Sequence, residues 1–174
     1  MYITPYSMNI TPNAESLFRI AALTHEDMLA SSLTLPFEIL TGAAQALGRT
    51  GRQRLITDCF SQEGGPLTIQ SGLTLATRPL SELTQADLLV VPAIWRQPQR
   101  VLHRHPEQIA VIEQHVSAGG LTISVGSGSF LLAETGHMTG RTMTTHWQWF
   151  DTFEHRYPRV QLERRQLITQ SDNV

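Results

Sequence analysis

The residues with the clearest chemical meaning follow Leu121, where a short apolar run breaks at a cluster of glycine and serine. Leu121–Val125 has the composition of a buried strand, and Ser129–Glu134 continues as an apolar helical pattern. A sharp turn between a strand and a helix holds its residue in strained geometry and presents that side chain to a pocket. The residue predicted at this turn is Gly126, which has no side chain that could attack a substrate. The pattern therefore predicts a nucleophile elbow without a nucleophile.

The serines beside Gly126 leave two interpretations open. The run Gly126–Ser129 lacks the glycine spacing of a dinucleotide fingerprint and the lysine of a P-loop. It also contains no Gly-x-Ser-x-Gly, which disfavours Ser127 as a hydrolase nucleophile. Ser127 and Gly128 could offer backbone N–H groups and a hydroxyl to an anionic or carbonyl ligand. They could equally form a tight turn and nothing more.

Strand-like and helix-like patterns alternate along the chain, which predicts an α/β layered fold with a mainly parallel sheet. The predicted strands are Leu17–Leu23, Arg54–Ser61, Ala86–Val91, Leu121–Val125 and Val160–Thr169, with a hairpin over Leu67–Thr77. The predicted helices are Leu33–Leu47, Pro106–Ala118, Ser129–Glu134 and Trp147–Tyr157. In open sheets of this kind, ligands bind at the carboxyl ends of the strands.

Composition excludes several classes of protein. The chain has 174 residues, 41% of them hydrophobic, which is enough for one substantial core and predicts a single domain. Its net charge is −2 and its arginines are scattered, so no basic stripe for nucleic acid is visible. A single cysteine, Cys59, fits a reducing compartment and is interpreted as a small buried hydrophobe. No signal peptide or membrane span is visible, so we expect a cytoplasmic protein without membrane contact.

Three histidines bear only a superficial resemblance to a metal site. His103, His105 and His115 have no cysteine or carboxylate at a recognisable ligand spacing. We interpret the first two as part of a solvated loop. We therefore expect no metal and no cofactor.

The run Ala118–Gly136, followed by Thr139–Trp147, resembles the DJ-1/PfpI branch of the class I glutamine amidotransferase-like superfamily. More narrowly, it resembles the version that is fused to AraC-type transcription regulators, and Thr144-Thr-His-Trp147 is the specific part of the match. The resemblance covers about Phe18 to Val174. It implies a flavodoxin-like three-layer α/β sandwich of DJ-1/PfpI type.

The resemblance also implies a domain organisation. Residues 1–17 are expected to be a flexible leader and residues 18–174 a sensor and dimerisation domain. Its C-terminal end is expected to be truncated at Val174, and the helix-turn-helix DNA-binding domain is expected to lie outside this chain.

Two departures from the family bear on mechanism. Catalytic members carry cysteine at the elbow, where this chain has Gly126. They also supply a glycine pair for the oxyanion after a strand that ends in Val-Pro, whereas this chain has Ala93, Ile94 and Trp95. Without an attacking group, an oxyanion donor has nothing to act on. We therefore expect no enzymatic activity.

The function implied is a non-catalytic, effector-sensing and dimerisation domain of an AraC-family regulator. A small-molecule effector is expected as the ligand, a homodimer as the assembly, and DNA only through the absent C-terminal domain. One competing interpretation is a superfamily enzyme, hydrolase, hydratase or glyoxalase-like, with an unrecognised nucleophile. Another is a structural dimerisation module with a vestigial pocket. The expected effector site comprises Glu38, Ala93, Ile94, Trp95, Gly126, Ser127, Gly128, His146 and Trp147.

Several of these residues have alternative interpretations. Leu35-Pro-Phe-Glu38 matches the family's early acidic residue at the start of the first long helix, but Glu38 could simply complement a helix dipole. His146 could fix its loop by a hydrogen bond. Trp147 could anchor the core or an interface rather than cap a ligand. Trp95 could partly fill the pocket.

Overall fold

The computed structural model of the protein describes residues 16–48 and 53–174. Its strands are β1 (Ser16–Leu23), β2 (Gln53–Ser61), β3 (Glu63–Thr68), β4 (Thr74–Pro79), β5 (Leu88–Val91), β6 (Leu121–Ser124), β7 (Thr142–Met143) and β8 (Gln161–Leu162). Its α-helices are α1 (Ser31–Gly48), α2 (Pro98–Arg104), α3 (Pro106–Ser117), α4 (Ser129–Glu134) and α5 (Phe150–Arg156).

Six strands form the main sheet, in the order β3-β4-β2-β1-β5-β6. Every pair is parallel except the β3–β4 hairpin. The predicted α/β fold with a mainly parallel sheet is confirmed. From β1 the chain builds outward to β2 on one side and later to β5 on the other, so the strand order reverses between β1 and β5. The loops that follow these two strands therefore flank the crevice where doubly wound sheets bind ligands.

The central strands are apolar on both sides because each side faces a separate core. Helices α2 to α5 cover one side of the sheet, and α1 covers the other. Alternate side chains of β1 and β5 enter the two cores, as the two-residue period of a strand requires. Facing α2 to α5 are Ala21, Leu23, Leu89 and Val91; facing α1 are Ile20, Ala22, Leu88 and Val90.

The C-terminal part of the chain departs from the predicted pattern. The predicted strand Val160–Thr169 is wrong, since only Gln161–Leu162 pairs, with the two-residue strand β7. The Glu163 N–H donates to the Met143 carbonyl. Because β7 ends at Met143, it has no residue left to pair with a longer strand. The predicted helix from Trp147 begins as a 3-10 turn, and α5 starts at Phe150.

Two further sequence predictions concern the N-terminal leader and membrane spans. Residues 1–15, most of the predicted leader, lie outside them, and β1 begins at Ser16. None of the helices described is long and apolar enough to cross a bilayer.

Candidate functional site

The strand, sharp turn and helix predicted around Gly126 are present. β6 ends at Ser124, Gly126 has a φ of 49°, and a 3-10 turn leads into α4 at Ser129. This left-handed conformation costs a residue with a Cβ about 1–2 kcal/mol. A Cβ built on Gly126 would lie 3.7 Å from the Ala93 Cβ and 3.8 Å from the His146 Cβ. Glycine therefore leaves a small recess between Ala93 and His146, two of the predicted site residues.

Gly128 is required by the close approach of α4 to the end of β5. A Cβ at Gly128 would lie 2.5 Å from the Pro92 carbonyl oxygen and 2.6 Å from that of Val91. Contacts this short with backbone atoms exclude every other residue unless the turn moves. The Gly126–Gly128 turn is thus held directly against the loop that contains Ala93, Ile94 and Trp95.

Buried hydroxyl groups fasten the turn to its neighbours. The Ser127 Oγ donates to the Ile94 carbonyl at 2.7 Å, and Ser127 is 3% exposed. The Ser129 Oγ donates to the Thr145 Oγ1 at 2.7 Å, and that hydroxyl donates to the Gly126 carbonyl at 3.3 Å. The Ser127 hydroxyl is therefore a structural group. The N–H groups of Gly126 and Ser127, by contrast, have no acceptor among the described residues.

Ser32 is a site residue that the sequence interpretation missed. Its Oγ accepts the Ala93 N–H at 2.8 Å and donates to the Leu29 carbonyl at 2.6 Å. The Leu29 N–H donates to the Ala93 carbonyl at 2.8 Å, and the Trp95 N–H donates to the Asp27 carbonyl at 2.7 Å. These bonds join the loops after β1 and β5 across the crevice. The available signal was a serine pair directly before a helical pattern, which is typical of a helix start.

Glu38 is not at the start of the first helix. α1 begins at Ser31, so Glu38 lies in its second turn, about 9 Å farther along the helix axis than Ser32. Its side chain is exposed. Within the described residues no hydrogen bond or ion pair joins it to another predicted site residue.

Two indoles stand exposed beside the turn. Trp95 is 45% exposed, and the Arg96 guanidinium lies 5.3 Å from its ring. Trp147 is 73% exposed, so its interpretation as a core anchor is wrong. His146 is exposed as well; its Nδ1 accepts the Gln148 N–H at 3.3 Å, and its ring centroid lies 5.3 Å from that of Trp147. His146 thus makes the loop-fixing bond considered above, while both indoles remain free to contact a ligand or partner.

A cavity of about 360 Å³ adjoins Gly126 on the flank formed by β6. This volume lies in the range of small-molecule sites. No charged side chain lines the cavity. Its walls are residues 122–126, 142–144 and 167–169, with Met138 and Val174.

The histidines are placed differently from the predicted solvated loop. His103 lies in α2, His105 joins α2 to α3, and His115 lies in α3. The His105 ring lies 5.3 Å from that of His25, which is 1% exposed and was missed by the sequence interpretation. Burial, and secondarily the charge of His105, lowers the pKa of His25 to about 3. Over residues 16–48 and 53–174, no three His, Cys, Asp or Glu side chains are grouped so that they could hold a metal ion.

Comparisons with known proteins find a matching family model and a similar regulator. The model of the DJ-1/PfpI family matches residues 19–172. The HTH-type transcriptional regulator CdhR of Pseudomonas aeruginosa is 30% identical over 103 residues, which is 58% of this chain and 30% of that protein. The matched region thus spans about a third of the regulator's length.

Two solved structures are similar in fold. An AraC family transcriptional regulator from Pseudomonas putida aligns with a TM-score of 0.70 at 20% identity, covering 84% of this chain and 76% of that one. Drosophila melanogaster DJ-1beta aligns with a TM-score of 0.65 at 11% identity, covering 91% and 80%. At these identities, the likeness establishes the three-layer fold alone.

Proposed function

Since the chain belongs to the DJ-1/PfpI family, we propose that it is a non-catalytic, effector-sensing and dimerisation domain of an AraC-type transcription regulator. Similarity to CdhR and to the Pseudomonas putida regulator supports the regulatory role. The observation that carries the non-catalytic part is Gly126 at the sharp turn between β6 and α4. In this proposal the protein is cytoplasmic, and DNA is bound by a separate domain.

The groups that could replace a missing nucleophile are engaged or inert. The Ser127 hydroxyl donates to a buried carbonyl. Cys59 is half-buried in β2, and burial, with the nearby Asp58 carboxylate, raises the pKa of its thiol to about 11. Because the thiolate is the reactive form, a thiol of this kind is a poor nucleophile at neutral pH. The Ala93 N–H already donates to the Ser32 Oγ and is not free to stabilise an oxyanion.

The proposed effector site is the recess in front of Gly126. Ala93 and His146 lie on its two sides. We assign the exposed indoles of Trp95 and Trp147, close neighbours of these two residues in the chain, to its mouth. Ile94 and Gly128 belong to the backbone that shapes it, and the N–H groups of Gly126 and Ser127 supply donors. Hydrogen-bond donors surrounded by apolar and aromatic surface are typical of small-molecule sites. Glu38 remains part of the proposed effector site, and the variant Glu38→Ala tests its contribution to ligand binding.

Thermal denaturation against a library of small metabolites tests this proposal. A ligand at a hundredfold excess over its dissociation constant adds about 2.7 kcal/mol, or roughly 5–10 °C in Tm for a chain of this size. Trp147→Ala should reduce this gain without changing the Tm of the free protein, because the indole is 73% exposed. Leu73→Ala, at another exposed apolar position, should leave the gain unchanged.

The competing functions give different results in the same experiment. A library without any stabilising metabolite would favour a structural module with a vestigial pocket. Conversion of a library compound, lost in Ser127→Ala or Cys59→Ser, would favour an enzyme. If Thr144→Phe abolished stabilisation while Trp147→Ala did not, the ligand would occupy the cavity beside β6 instead of the recess. A smaller ligand-induced rise in Tm in Glu38→Ala would show that this carboxylate takes part in ligand binding.

A further inference from the structure

His25 is a buried histidine that the fold leaves without a partner. It follows β1 at the carboxyl edge of the sheet and is 1% exposed. Neither of its ring nitrogens has a hydrogen-bond partner among the described residues. A protonated ring in this place would bury a charge and two N–H donors with nothing to accept them. The closed fold therefore accommodates the neutral ring far better than the charged one.

The ionisable groups in this region come from two parts of the chain. They are Glu26 and Asp27 of the loop after β1, and Arg104, His105 and Glu107 at the junction of α2 and α3. The last two residues of β2 and of β5, the strands that flank β1, are not ionisable. The ring centroid of His105 lies 5.3 Å from that of His25, so a positive charge on one ring disfavours a charge on the other.

Both carboxylates of the loop interact with the α2–α3 junction. Arg104 Nη1 lies 3.1 Å from Glu26 Oε1 and 3.7 Å from Asp27 Oδ2. His105 Nε2 lies 3.6 Å from Glu26 Oε2. Neither carboxylate accepts a hydrogen bond from His25. Burial, and secondarily the charge of His105, accordingly lowers the pKa of His25 to about 3.

The loop after β1 also holds the loop after β5 in place. The Trp95 N–H donates to the Asp27 carbonyl at 2.7 Å, and the Leu29 N–H donates to the Ala93 carbonyl at 2.8 Å. A short antiparallel bridge lies between these two hydrogen bonds, which together are called the clamp below. Movement of the loop after β1 would therefore break the clamp and release the backbone of Trp95.

The loop after β5 is strained just beyond the clamp. Gln97, which precedes α2, has a φ of 51° and a ψ of 64°. This left-handed region is unfavourable for a residue with a Cβ. Trp95 is 45% exposed, so a large part of its side chain is not packed in a core. Once the clamp is broken, little burial opposes a new position of Trp95, and relief of the strain at Gln97 favours one.

We propose that the loops after β1 and β5 form a pH-sensitive switch, in which protonation of His25 breaks the clamp and frees Trp95. A solvent proton binds a ring nitrogen of His25, and the loop after β1 moves outward so that water solvates the charged ring. At neutral pH the ring is uncharged and the clamp stays closed. Weaker effector binding in acid follows only if the proposed function is right, since that function assigns Trp95 to the mouth of the recess.

The size of the effect follows from the protonation of His25 in the two states. In the open state the ring is in water with its ordinary pKa of 6.5, whereas in the closed state the pKa is about 3. Between these two values the open state holds a proton that the closed state does not. The equilibrium constant for opening therefore rises as the pH falls, by about 30-fold from about pH 7.5 to about pH 5.

Amide hydrogen exchange of the whole 174-residue chain, followed by NMR without any ligand, tests the switch. The protection factors of the Trp95 and Leu29 N–H groups should fall about 30-fold from about pH 7.5 to about pH 5. In His25→Leu both protection factors should be independent of pH. His103→Gln, which removes an exposed histidine of α2, is the matched control and should show the same fall as the wild type.

The amides of β5 distinguish local opening from complete unfolding. At each pH the two clamp amides should be less protected than the amides of β5. Equal protection would mean that the loops separate only when the chain unfolds. Wild-type clamp amides with pH-independent protection would mean that His25 stays buried in the open state. Either result would overturn the proposal.

The His25→Leu variant provides a further test, because it keeps the ion pairs of Arg104. A fall in clamp protection that persists in this variant would assign the pH dependence to those ion pairs and would overturn the role of His25. The exchange measurement uses no ligand. A metabolite library without a stabilising member would therefore count against the proposed function and leave the switch intact, so the two proposals can fail separately.

Discussion

Acidification is expected to destabilise the folded chain through one residue, His25, which follows β1. Its side chain is 1% exposed, and neither ring nitrogen has a hydrogen-bond partner among the described residues. The pKa of His25 is lowered from 6.5 to about 3, first by burial and then by the charge of His105. In the folded state this imidazole therefore remains neutral well below neutral pH.

The sign of the effect follows from proton binding in the two states. Between the two pKa values, the unfolded chain holds a proton on His25 that the folded chain does not. The free energy of unfolding therefore falls as the pH falls below 6.5, and the full contribution of the neutral ring is present above that pH. The loss is about 2 kcal/mol near pH 5 and approaches about 5 kcal/mol near pH 3, at 1.36 kcal/mol per unit.

Urea denaturation of the wild type and His25→Leu, from about pH 7.5 to about pH 5, measures this loss. Leucine cannot bind a proton. Because neither ring nitrogen of His25 has a hydrogen-bond partner among the described residues, the substitution leaves no polar group unpaired. The difference in unfolding free energy between the two proteins should shift by about 2 kcal/mol across this range. His103→Gln, at an exposed histidine of α2, is the matched control variant. A difference that stays constant with pH would refute the reasoning.

Three further results are expected. Gly128→Ala should lower the unfolding free energy by about 1–3 kcal/mol in urea denaturation, because its Cβ would overlap the Pro92 carbonyl, whereas Gly42→Ala should be neutral or stabilising. Gly126→Cys should show no amide or ester turnover above a Gly126→Ala control, because the Ala93 N–H is held by Ser32; turnover well above that control would contradict this. Titration with duplex DNA should detect no salt-dependent binding, because the chain has a net charge of −2; a steep salt dependence would count against the separation of effector and DNA binding.

Most of the sheet and the larger helices could be predicted because their signals are local. β5 is a short, wholly apolar run between Asp87 and Pro92, and α3 carries apolar residues at helical spacing before a glycine pair. α2 was missed because Pro98–Arg104 has only two large apolar residues, Val101 and Leu102, which is too few for a visible period. The predicted last strand failed because strand pairing depends on a partner, and β7 is two residues long.

The candidate site was only partly accessible from sequence. Gly126 and Gly128 were visible because a glycine cluster between a strand and a helix is itself a local signal. The bond from the Ala93 N–H to Ser32 joins residues 61 positions apart, and no local pattern encodes it. His25 lies in a short polar stretch that resembles a surface loop, yet it is buried, and the ring of His105, 80 positions later, lies 5.3 Å from its ring. Long-range contacts of this kind decide which polar side chains are structural.

The central claim, ligand binding without chemistry at the Gly126 turn, is tested most directly by ligand-observed NMR of the 174-residue chain with the metabolite that stabilises it. Saturation transfer reports binding, and the ligand resonances followed over time report conversion. We expect transfer that is lost in Trp147→Ala, with ligand resonances that stay unchanged. New product resonances in the presence of the wild-type protein, absent with Ser127→Ala or Cys59→Ser, would contradict the account.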